Sequence, residues 1–145
     1  MNDKELVKLA FQAREQAYAP YSDYLVGAAL LAKNGQVFLG CNVENAAYSP
    51  SNCAERTAFF NAISQGVREF EAIAIVGGER DTPQDGFSYT FPCGVCRQVM
   101  LEFCEAKEFR IITAKSVDEI TSATLEQLVP MKWPEHPLGK STTPR

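Results

Sequence analysis

Cys53-Ala54-Glu55-Arg56 and Pro92-Cys93-Gly94-Val95-Cys96 are the two stretches from which the fold and the chemistry of this chain follow. Each begins a predicted helix, so two segments far apart in sequence would set their helix N-termini side by side. Together they offer three thiols and one carboxylate. A structural zinc site normally closes with four Cys or His ligands, whereas a catalytic zinc takes three and leaves a position for water. The pattern therefore predicts an open metal site with a proton acceptor beside it.

The helix starts favour the thiolate form that a metal requires. The partial positive charge of a first helical turn lowers the pKa of a thiol at Cys53 or Cys93, and Cys96 lies one turn further on. Three thiolates give bound Zn²⁺ a net negative charge and weaken it as a Lewis acid, so we expect Arg56 to donate to the sulfurs and offset this charge. Glu55 is suited to take a proton from water and pass it to a substrate nitrogen, which is the chemistry of hydrolytic amine displacement.

Two other interpretations of these cysteines stay open. A C-x-x-C pair near an α/β pattern is also typical of redox sites. A structural zinc would need a fourth ligand, for which the chain offers His136 in its tail and Cys41 and Cys104 in apolar surroundings. Glu55 could also do no more than interact with a helix dipole. The conjunction of Cys, Glu and Arg with a Pro-Cys-Gly-x-Cys helix start favours the catalytic interpretation.

Composition narrows the class of protein. The chain has 145 residues, a net charge of -4 with acids and bases interleaved, and five cysteines. This length suits one domain, and the charge argues against a nucleic-acid groove, which needs clustered Lys and Arg. No apolar run reaches the ~20 residues of a membrane span. The odd cysteine count and the charged start without a signal peptide predict a cytoplasmic protein without a disulfide framework.

Apolar periodicity and turn residues predict four helices and five strands. The first helix is expected to be capped by Asp3 and ended by Pro20, and Thr124 with Gln127 forms a capping box for the last. The remaining helices are predicted over 54–65 and 94–105, and the strands over 24–32, 37–42, 70–76, 109–113 and 117–122.

The connections between these elements predict the topology. Asn34-Gly35 is a strong hairpin signal, so the first two strands should be antiparallel. The link between the last two strands is too short for a parallel crossover, so they should be antiparallel as well. We expect a three-layer α/β/α fold with a mixed five-stranded sheet. One domain would span 1–133, followed by a Pro-rich tail over 134–145.

Five segments of the chain resemble the cytidine deaminase family in its small, homotetrameric form. The similarity runs over most of the chain, and the second and third segments carry Cys53, Cys93 and Cys96: 40–46 (GCNVENA), 52–58 (NCAERTA), 92–98 (PCGVCRQ), 124–130 (TLEQLVP) and 18–22 (YAPYS). The resemblance implies the cytidine deaminase-like fold, one Zn²⁺ per chain and a homotetramer with shared active sites. It also implies hydrolytic deamination of cytidine and 2′-deoxycytidine to the uridines, with release of ammonia, in pyrimidine salvage.

The resemblance also assigns roles to individual residues. Cys53, Cys93 and Cys96 would bind zinc and Glu55 would shuttle protons. It implies that Asn42 and Glu44 hydrogen-bond the ribose 3′-hydroxyl. The backbone of Ala54 and the side chain of Tyr24 would contact the pyrimidine. From neighbouring subunits, Tyr48 would reach the 5′-hydroxyl and Trp133 would stack on the base. Taken alone, Asn42 is typical of a turn, Tyr48 of a loop anchor, and Tyr24 and Trp133 of core or interface aromatics.

The chain departs from the family pattern at the pocket. Phe91 stands where the family commonly has Ser, Trp133 where it has Phe, and the loop over 77–91 is longer than usual. These differences bear on substrate preference. The other functions to be considered are deamination of a different aminopyrimidine nucleoside, deamination of a polynucleotide, and a structural zinc or interaction module without turnover.

Overall fold

The Asn34-Gly35 turn joins the first two strands of a five-stranded sheet in the computed structural model, which describes residues 1–138. The helices are α1 (Asp3–Arg14), α2 (Ala54–Ser64), α3 (Gly94–Phe103) and α4 (Leu125–Leu128). The strands are β1 (Tyr24–Ala32), β2 (Val37–Cys41), β3 (Phe70–Glu79), β4 (Arg110–Ser116) and β5 (Glu119–Thr124).

The sheet is mixed, and its strand order is β2-β1-β3-β4-β5. β1 pairs antiparallel with both β2 and β3, and β4 pairs antiparallel with β5. Only β3 and β4 run parallel, because the chain between them crosses over through α3. The predicted antiparallel first hairpin and antiparallel last strand pair are both confirmed.

The helices cover both faces of the sheet and make the predicted three layers. On one face, α1 contributes Leu6, Val7 and Ala10 to a core with alternate residues of β1, β3 and β4. On the other face, α2 and α3 pack over the remaining strand residues, around Phe59 and Met100. This second face is the one that carries both cysteine-bearing helices.

Close backbone approach sets how α2 lies on the sheet. A Cβ on Gly40 of β2 would come within 2.4 Å of the Ala54 carbonyl oxygen and of the Ala58 nitrogen. Only glycine leaves room for the helix backbone at this distance. Gly40 therefore fixes the height of the α2 N-terminus, and with it the position of Cys53, above the sheet.

Several predicted boundaries were wrong by a few residues. Asn2, and not Asp3, caps α1, because the Asn2 side chain accepts from the Glu5 N–H and Glu5 reciprocates in a capping box. The helix ends at Arg14, well before Pro20. β3 continues to Glu79, beyond the expected end at Val76, because β1 goes on pairing with it as far as Tyr24. The long loop therefore begins at residue 80.

Of the predicted Pro-rich tail over 134–145, the structure describes residues 134–138, and the rest lies outside the described residues. In the described part, Pro134 and Pro137 are buried. Within residues 1–138, no helix has the length and apolar character needed to cross a membrane.

Candidate active site

The three thiols meet where α2 and α3 begin. Cys53 is the N-cap of α2 and Cys93 is the N-cap of α3, as the sequence predicted. An N-cap side chain usually accepts a hydrogen bond from the first turn, but neither cysteine makes such a bond. Their sulfur atoms are therefore available to a metal, and Cys96 joins them from the first turn of α3.

The sulfur positions fit a metal ion. The Sγ atoms of Cys53 and Cys93 are 3.8 Å apart, and those of Cys93 and Cys96 are 3.5 Å apart. Two thiolates bound to tetrahedral zinc at about 2.3 Å are expected to lie roughly 3.8 Å from each other. All three sulfurs lie within 4.8 Å of one another, and no cysteine of the chain is in a disulfide. The donor set therefore suits zinc.

A fourth protein ligand is not part of this cluster. Among residues 1–138, the group of metal-ligating side chains contains the three cysteines alone. His136 lines a different cavity with Glu126 and Lys132. Cys104 is buried in the core around Phe59, and Cys41 lies in a groove beside Leu39. The described residues thus form a three-ligand site, whereas a closed structural zinc site would hold four.

Charge within the cluster is distributed by hydrogen bonds. The pKa of the Cys53 thiol is lowered to about 5, mainly by a hydrogen bond from Cys96 and to a smaller extent by the neighbouring Arg56. The same bond to Cys53 raises the pKa of Cys96. Arg56 donates from Nη2 to the Cys53 sulfur at 3.4 Å. The predicted contact between this guanidinium and the thiols is therefore present.

Glu55 lies beside the cluster in the first turn of α2. Its side chain is 5 % exposed, and burial raises the pKa of the carboxyl to about 7. A buried carboxyl in a cavity, with a pKa close to neutrality, has the properties of a general acid and base. The geometry thus joins a cluster of thiols that could hold a metal ion to a carboxyl suited to carry protons.

A cavity of about 400 Å³ opens over these groups. Its floor is formed by Cys53, Ala54, Glu55 and Cys93, with Arg56 beside them. Its remaining wall residues are Val26, Asn42, Glu44, Tyr48, Ser51, Asn52, Thr90 and Phe91. A larger groove of about 750 Å³, lined by residues such as Lys8 and Glu119, shares no residue with this wall. The candidate site is the smaller cavity, because it contains the thiols and Glu55.

Asn42 and Glu44 line the cavity, and both already hold the backbone around it. The Asn42 amide accepts from the Val26 N–H at 2.9 Å and donates to the Tyr24 carbonyl at 2.8 Å. Glu44 accepts from the N–H groups of residues 21 and 22 at 3.0 Å and from the Ser22 hydroxyl. These bonds hold both side chains rigidly, and the hydrogen bond from Ser22 lowers the pKa of Glu44.

The three predicted aromatic contacts lie at different distances from the cavity. Tyr48 lines it within its own chain, yet its side chain is 84 % exposed. Tyr24 does not line the cavity. Its hydroxyl lies 3.4 Å from the hydroxyl of Thr90, and Thr90 is one of the lining residues. Trp133 is outside the wall and 75 % exposed, and its carbonyl accepts from Gln98. Within one chain, therefore, Trp133 does not reach the cavity.

Thr90 and Arg97 are residues of the site that the sequence analysis missed. Thr90 lines the cavity two residues before the Pro92-Cys93 helix start. Arg97 donates to the Pro92 carbonyl at 2.8 Å and to the Leu128 carbonyl at 3.0 Å, which ties the start of α3 to α4. No local signal marks Thr90. Arg97, by contrast, lies one turn after Cys93 in α3. Its place in the cysteine motif was a signal that it helps to hold the start of that helix.

Comparison with known proteins agrees with this site. Residues 1–113 match the family model of the cytidine and deoxycytidylate deaminase zinc-binding region. The chain is 48 % identical over 130 residues to a cytidine deaminase of Sporosarcina psychrophila, covering 90 % of each. It is 47 % identical over 131 residues to one of Halalkalibacterium halodurans, covering 90 % of this chain and 92 % of that protein.

A solved structure shows the same fold. The crystal structure of cytidine deaminase from Burkholderia pseudomallei superposes with a TM-score of 0.81 at 42 % identity, covering 92 % of this chain and 100 % of that one. With three thiols at zinc spacing and Glu55 buried beside them, the chain belongs to the zinc-binding cytidine and deoxycytidylate deaminase family.

Proposed function

We propose that this protein is an enzyme that converts cytidine and 2′-deoxycytidine to uridine and 2′-deoxyuridine by hydrolysis, releasing ammonia. One observation carries the proposal. A buried carboxyl, Glu55, lies at the floor of a nucleoside-sized cavity, next to three thiols spaced for one zinc ion. The relatives at 47–48 % identity are named cytidine deaminases and match 90 % of this chain.

Cys53, Cys93 and Cys96 would hold one Zn²⁺ per chain. When bound, zinc supplies a Lewis acid that makes a water molecule acidic enough to react near neutral pH. Arg56, through its contact with the Cys53 sulfur, would offset part of the negative charge of the three thiolates. The water oxygen adds to C4 of the pyrimidine ring, and the C4–N bond to the amine breaks.

Glu55 would carry the protons of this reaction. It would accept one proton from the water and deliver it to ring N3. It would then transfer the remaining proton, that of the new C4 hydroxyl, to the amine, which leaves as ammonia while the C4 carbonyl forms. A carboxyl with a pKa near 7 is close to half-protonated at neutral pH, so it can both accept and donate. The low exposure of Glu55 keeps bulk water from competing for these transfers.

The rest of the cavity would bind the nucleoside. Asn42 and Glu44 would bond the ribose 3′-hydroxyl, since an amide and a carboxylate together supply a donor and an acceptor. Ala54 would contact the pyrimidine through its backbone and Tyr48 would reach the 5′-hydroxyl. Tyr24, held against Thr90, would support the wall beside the base.

We also propose that the protein is a homotetramer with shared sites, acting in pyrimidine salvage in the cytoplasm. Tyr48 is 84 % exposed and Trp133 is 75 % exposed, so both side chains are accessible to a neighbouring subunit. A Trp133 from a neighbouring subunit would stack on the base. None of the five cysteines forms a disulfide, which suits a reducing compartment.

Replacing Glu55 tests the proposal directly. Cytidine and zinc-loaded protein are mixed, and uridine formation is followed by ultraviolet absorbance and ammonia release. We expect turnover by the unaltered protein and a loss of at least about 10²-fold in Glu55→Ala and Glu55→Gln, because general acid–base catalysis contributes 10²–10⁴-fold. Both variants should keep one zinc per chain and the same unfolding midpoint.

The matched control is Glu71→Gln, which neutralises an exposed carboxylate on β3. Its turnover should equal that of the unaltered protein. Near-normal turnover in both Glu55 variants would refute this mechanism. If the unaltered protein binds zinc but leaves cytidine unchanged, a panel of other aminated pyrimidine nucleosides and single-stranded DNA would locate the substrate, and inactivity on all of them would favour a structural zinc module.

A further inference from the structure

Thr113 is a buried polar side chain that the proposed chemistry does not use. Among residues 1–138, Glu55 and Thr113 are the only polar side chains that are buried. Thr113 is 0 % exposed and stands in β4, paired with Ile75 of β3 on one side and Thr121 of β5 on the other. Its neighbours along the strand, Ile112 and Ala114, are apolar. A hydroxyl in such surroundings is costly to bury unless it is hydrogen-bonded.

The Thr113 hydroxyl is bonded to the loop that leads into the active site. Its Oγ1 accepts a hydrogen bond from the Thr90 N–H at 2.8 Å. The two residues are 23 positions apart in sequence, so the bond joins an interior strand of the sheet, β4, to the end of the long loop. Backbone N–H groups that lose their partner inside a protein are destabilising. The bond therefore restrains the main chain at Thr90.

Thr90 is restrained at its side chain as well. Its hydroxyl lies 3.4 Å from the Tyr24 hydroxyl and 3.5 Å from the carbonyl oxygens of both Gly77 and Ser88. These three contacts are long and weak compared with the 2.8 Å bond to Thr113. The Thr113 hydroxyl is thus the strongest polar restraint on this residue.

The far part of the same loop is held independently. Phe87 packs edge-on against Phe11 of α1, with ring centroids 5.2 Å apart, and the Arg14 guanidinium lies 4.9 Å from the centre of its ring. Loss of the Thr113 bond would therefore leave this aromatic contact in place. Ser88 pairs with Gly77 of β3, and the Lys115 ammonium lies 5.0 Å from the centre of the Tyr89 ring. The freed segment would therefore be the short one between Tyr89 and Pro92, which contains the cavity-lining residues Thr90 and Phe91.

We infer that Thr113 is a positioning residue for the substrate cavity: its buried hydroxyl holds the main chain of Thr90, and through it Phe91, in the cavity wall. The inference rests on the proposed function, since the cavity is taken to bind the nucleoside. Within residues 1–138, the Thr113 side chain makes no hydrogen bond to the thiols or to Glu55. Its removal should therefore weaken substrate binding and leave the chemical step almost unchanged.

Thr113→Val tests the inference, because valine keeps the shape of threonine and suits a buried strand. We expect KM for cytidine to rise about fivefold, the factor that corresponds to one net hydrogen bond, with little change in kcat. A raised KM with an unchanged kcat is expected when a mutation weakens binding of the substrate and of the transition state equally. Thr113→Ser, which restores the hydroxyl, should return KM to that of the unaltered protein. Thr113→Ala removes the hydroxyl again if the valine variant folds poorly.

Thr82→Val is the matched control. It removes a threonine hydroxyl that donates to the Glu79 carbonyl at 2.6 Å, at the start of the same loop and outside the cavity wall. KM should not change in this variant. An unchanged KM in Thr113→Val and Thr113→Ala, or an equal rise in KM in Thr82→Val, would overturn the inference.

Amide hydrogen exchange and nucleoside binding separate this inference from the proposed function. The Thr90 amide should exchange faster in Thr113→Val and regain its protection in Thr113→Ser. If the unaltered protein shows no turnover, the proposed function fails, and cytidine binding by calorimetry then replaces KM. Weaker binding in Thr113→Val, with recovery in Thr113→Ser, would support the positioning role, and equal binding would refute it.

Discussion

Arg56 shows how one side chain can tune a cluster of like charges. Three thiols within 4.8 Å of one another would repel as thiolates. Arg56 relieves this repulsion by donating to the Cys53 sulfur, and the contact raises the pKa of the guanidinium in turn. The planar guanidinium donates in fixed directions, which the point charge of a lysine does not reproduce.

Arg56→Ala is expected to weaken zinc binding or turnover by about 10–100-fold, the usual effect of removing a group that hydrogen-bonds a metal ligand. Zinc affinity is measured by competition with a chelator and turnover by absorbance. Arg56→Lys keeps the charge without the planar donor and should recover only part of the loss. Unchanged zinc affinity, turnover and pH profile in Arg56→Ala would show that this residue does not tune the thiols.

The docking of α2 on the sheet illustrates how an element positions a site. The helix backbone approaches β2 so closely that Gly40 has no room for a side chain. Since Cys53 is the N-cap of α2 and Glu55 belongs to its first turn, any displacement of this helix moves a proposed metal ligand and the proposed proton carrier together. α3 brings Cys93 from the other side, so the cluster depends on two independent helix positions.

Gly40→Ala should therefore lower stability and loosen the site. A Cβ 2.4 Å from backbone atoms cannot be relieved by rotating a side chain, and overpacking of this kind costs about 1–3 kcal/mol. We expect a lower free energy of unfolding in urea and faster zinc loss to a chelator.

Gly94→Ala is the comparison, because Gly94 begins α3 and has open space where its Cβ would lie. Alanine has a higher helix propensity than glycine, so this variant should be as stable as the unaltered protein, or slightly more so. Equal stability losses in the two variants would contradict the close-approach explanation.

At the scale of the whole molecule, one chain leaves its site partly open. Tyr48 lines the cavity but is largely exposed, and Trp133 lies outside the wall. In a symmetric assembly, a residue of one subunit can complete the site of the next. The proposed tetramer would thus close the cavity with aromatic side chains that the single chain leaves on its surface.

Mixing two damaged variants tests whether the sites are shared. Glu55→Ala lacks the proton carrier, and Trp133→Ala should bind cytidine weakly. The two variants are dissociated, mixed in equal amounts and reassembled. If Trp133 serves a neighbouring site, roughly a quarter of the sites should then combine an intact Glu55 with an intact Trp133 at random pairing, and these sites should be active. The assay is run at low cytidine, with light scattering to follow the assembly. Activity no greater than the sum of the separate variants would refute shared sites.

Most of the fold could be predicted because its signals are local. The Asn34-Gly35 turn gave the first hairpin, and Thr124 with Gln127 gave the last helix start, as their capping box confirms. The predictions failed where a distant partner extends or shortens an element. β3 runs on to Glu79 because β1 is there to pair with it, and α1 ends at Arg14, whose guanidinium donates to the Leu25, Gly78 and Glu79 carbonyls.

The grouping of three thiols with Glu55 could be predicted from sequence alone, because Cys93 and Cys96 are one turn apart and Glu55 follows Cys53 at the start of a helix. The tertiary structure decided what surrounds them. It buries Glu55, engages the Asn42 amide with the backbone of β1, and ties Thr90 to Thr113 across the sheet. Such contacts join residues that no local periodicity relates, so they form only once the chain has packed. Burial and hydrogen bonding then set the pKa of each titratable group and restrain the position of each side chain.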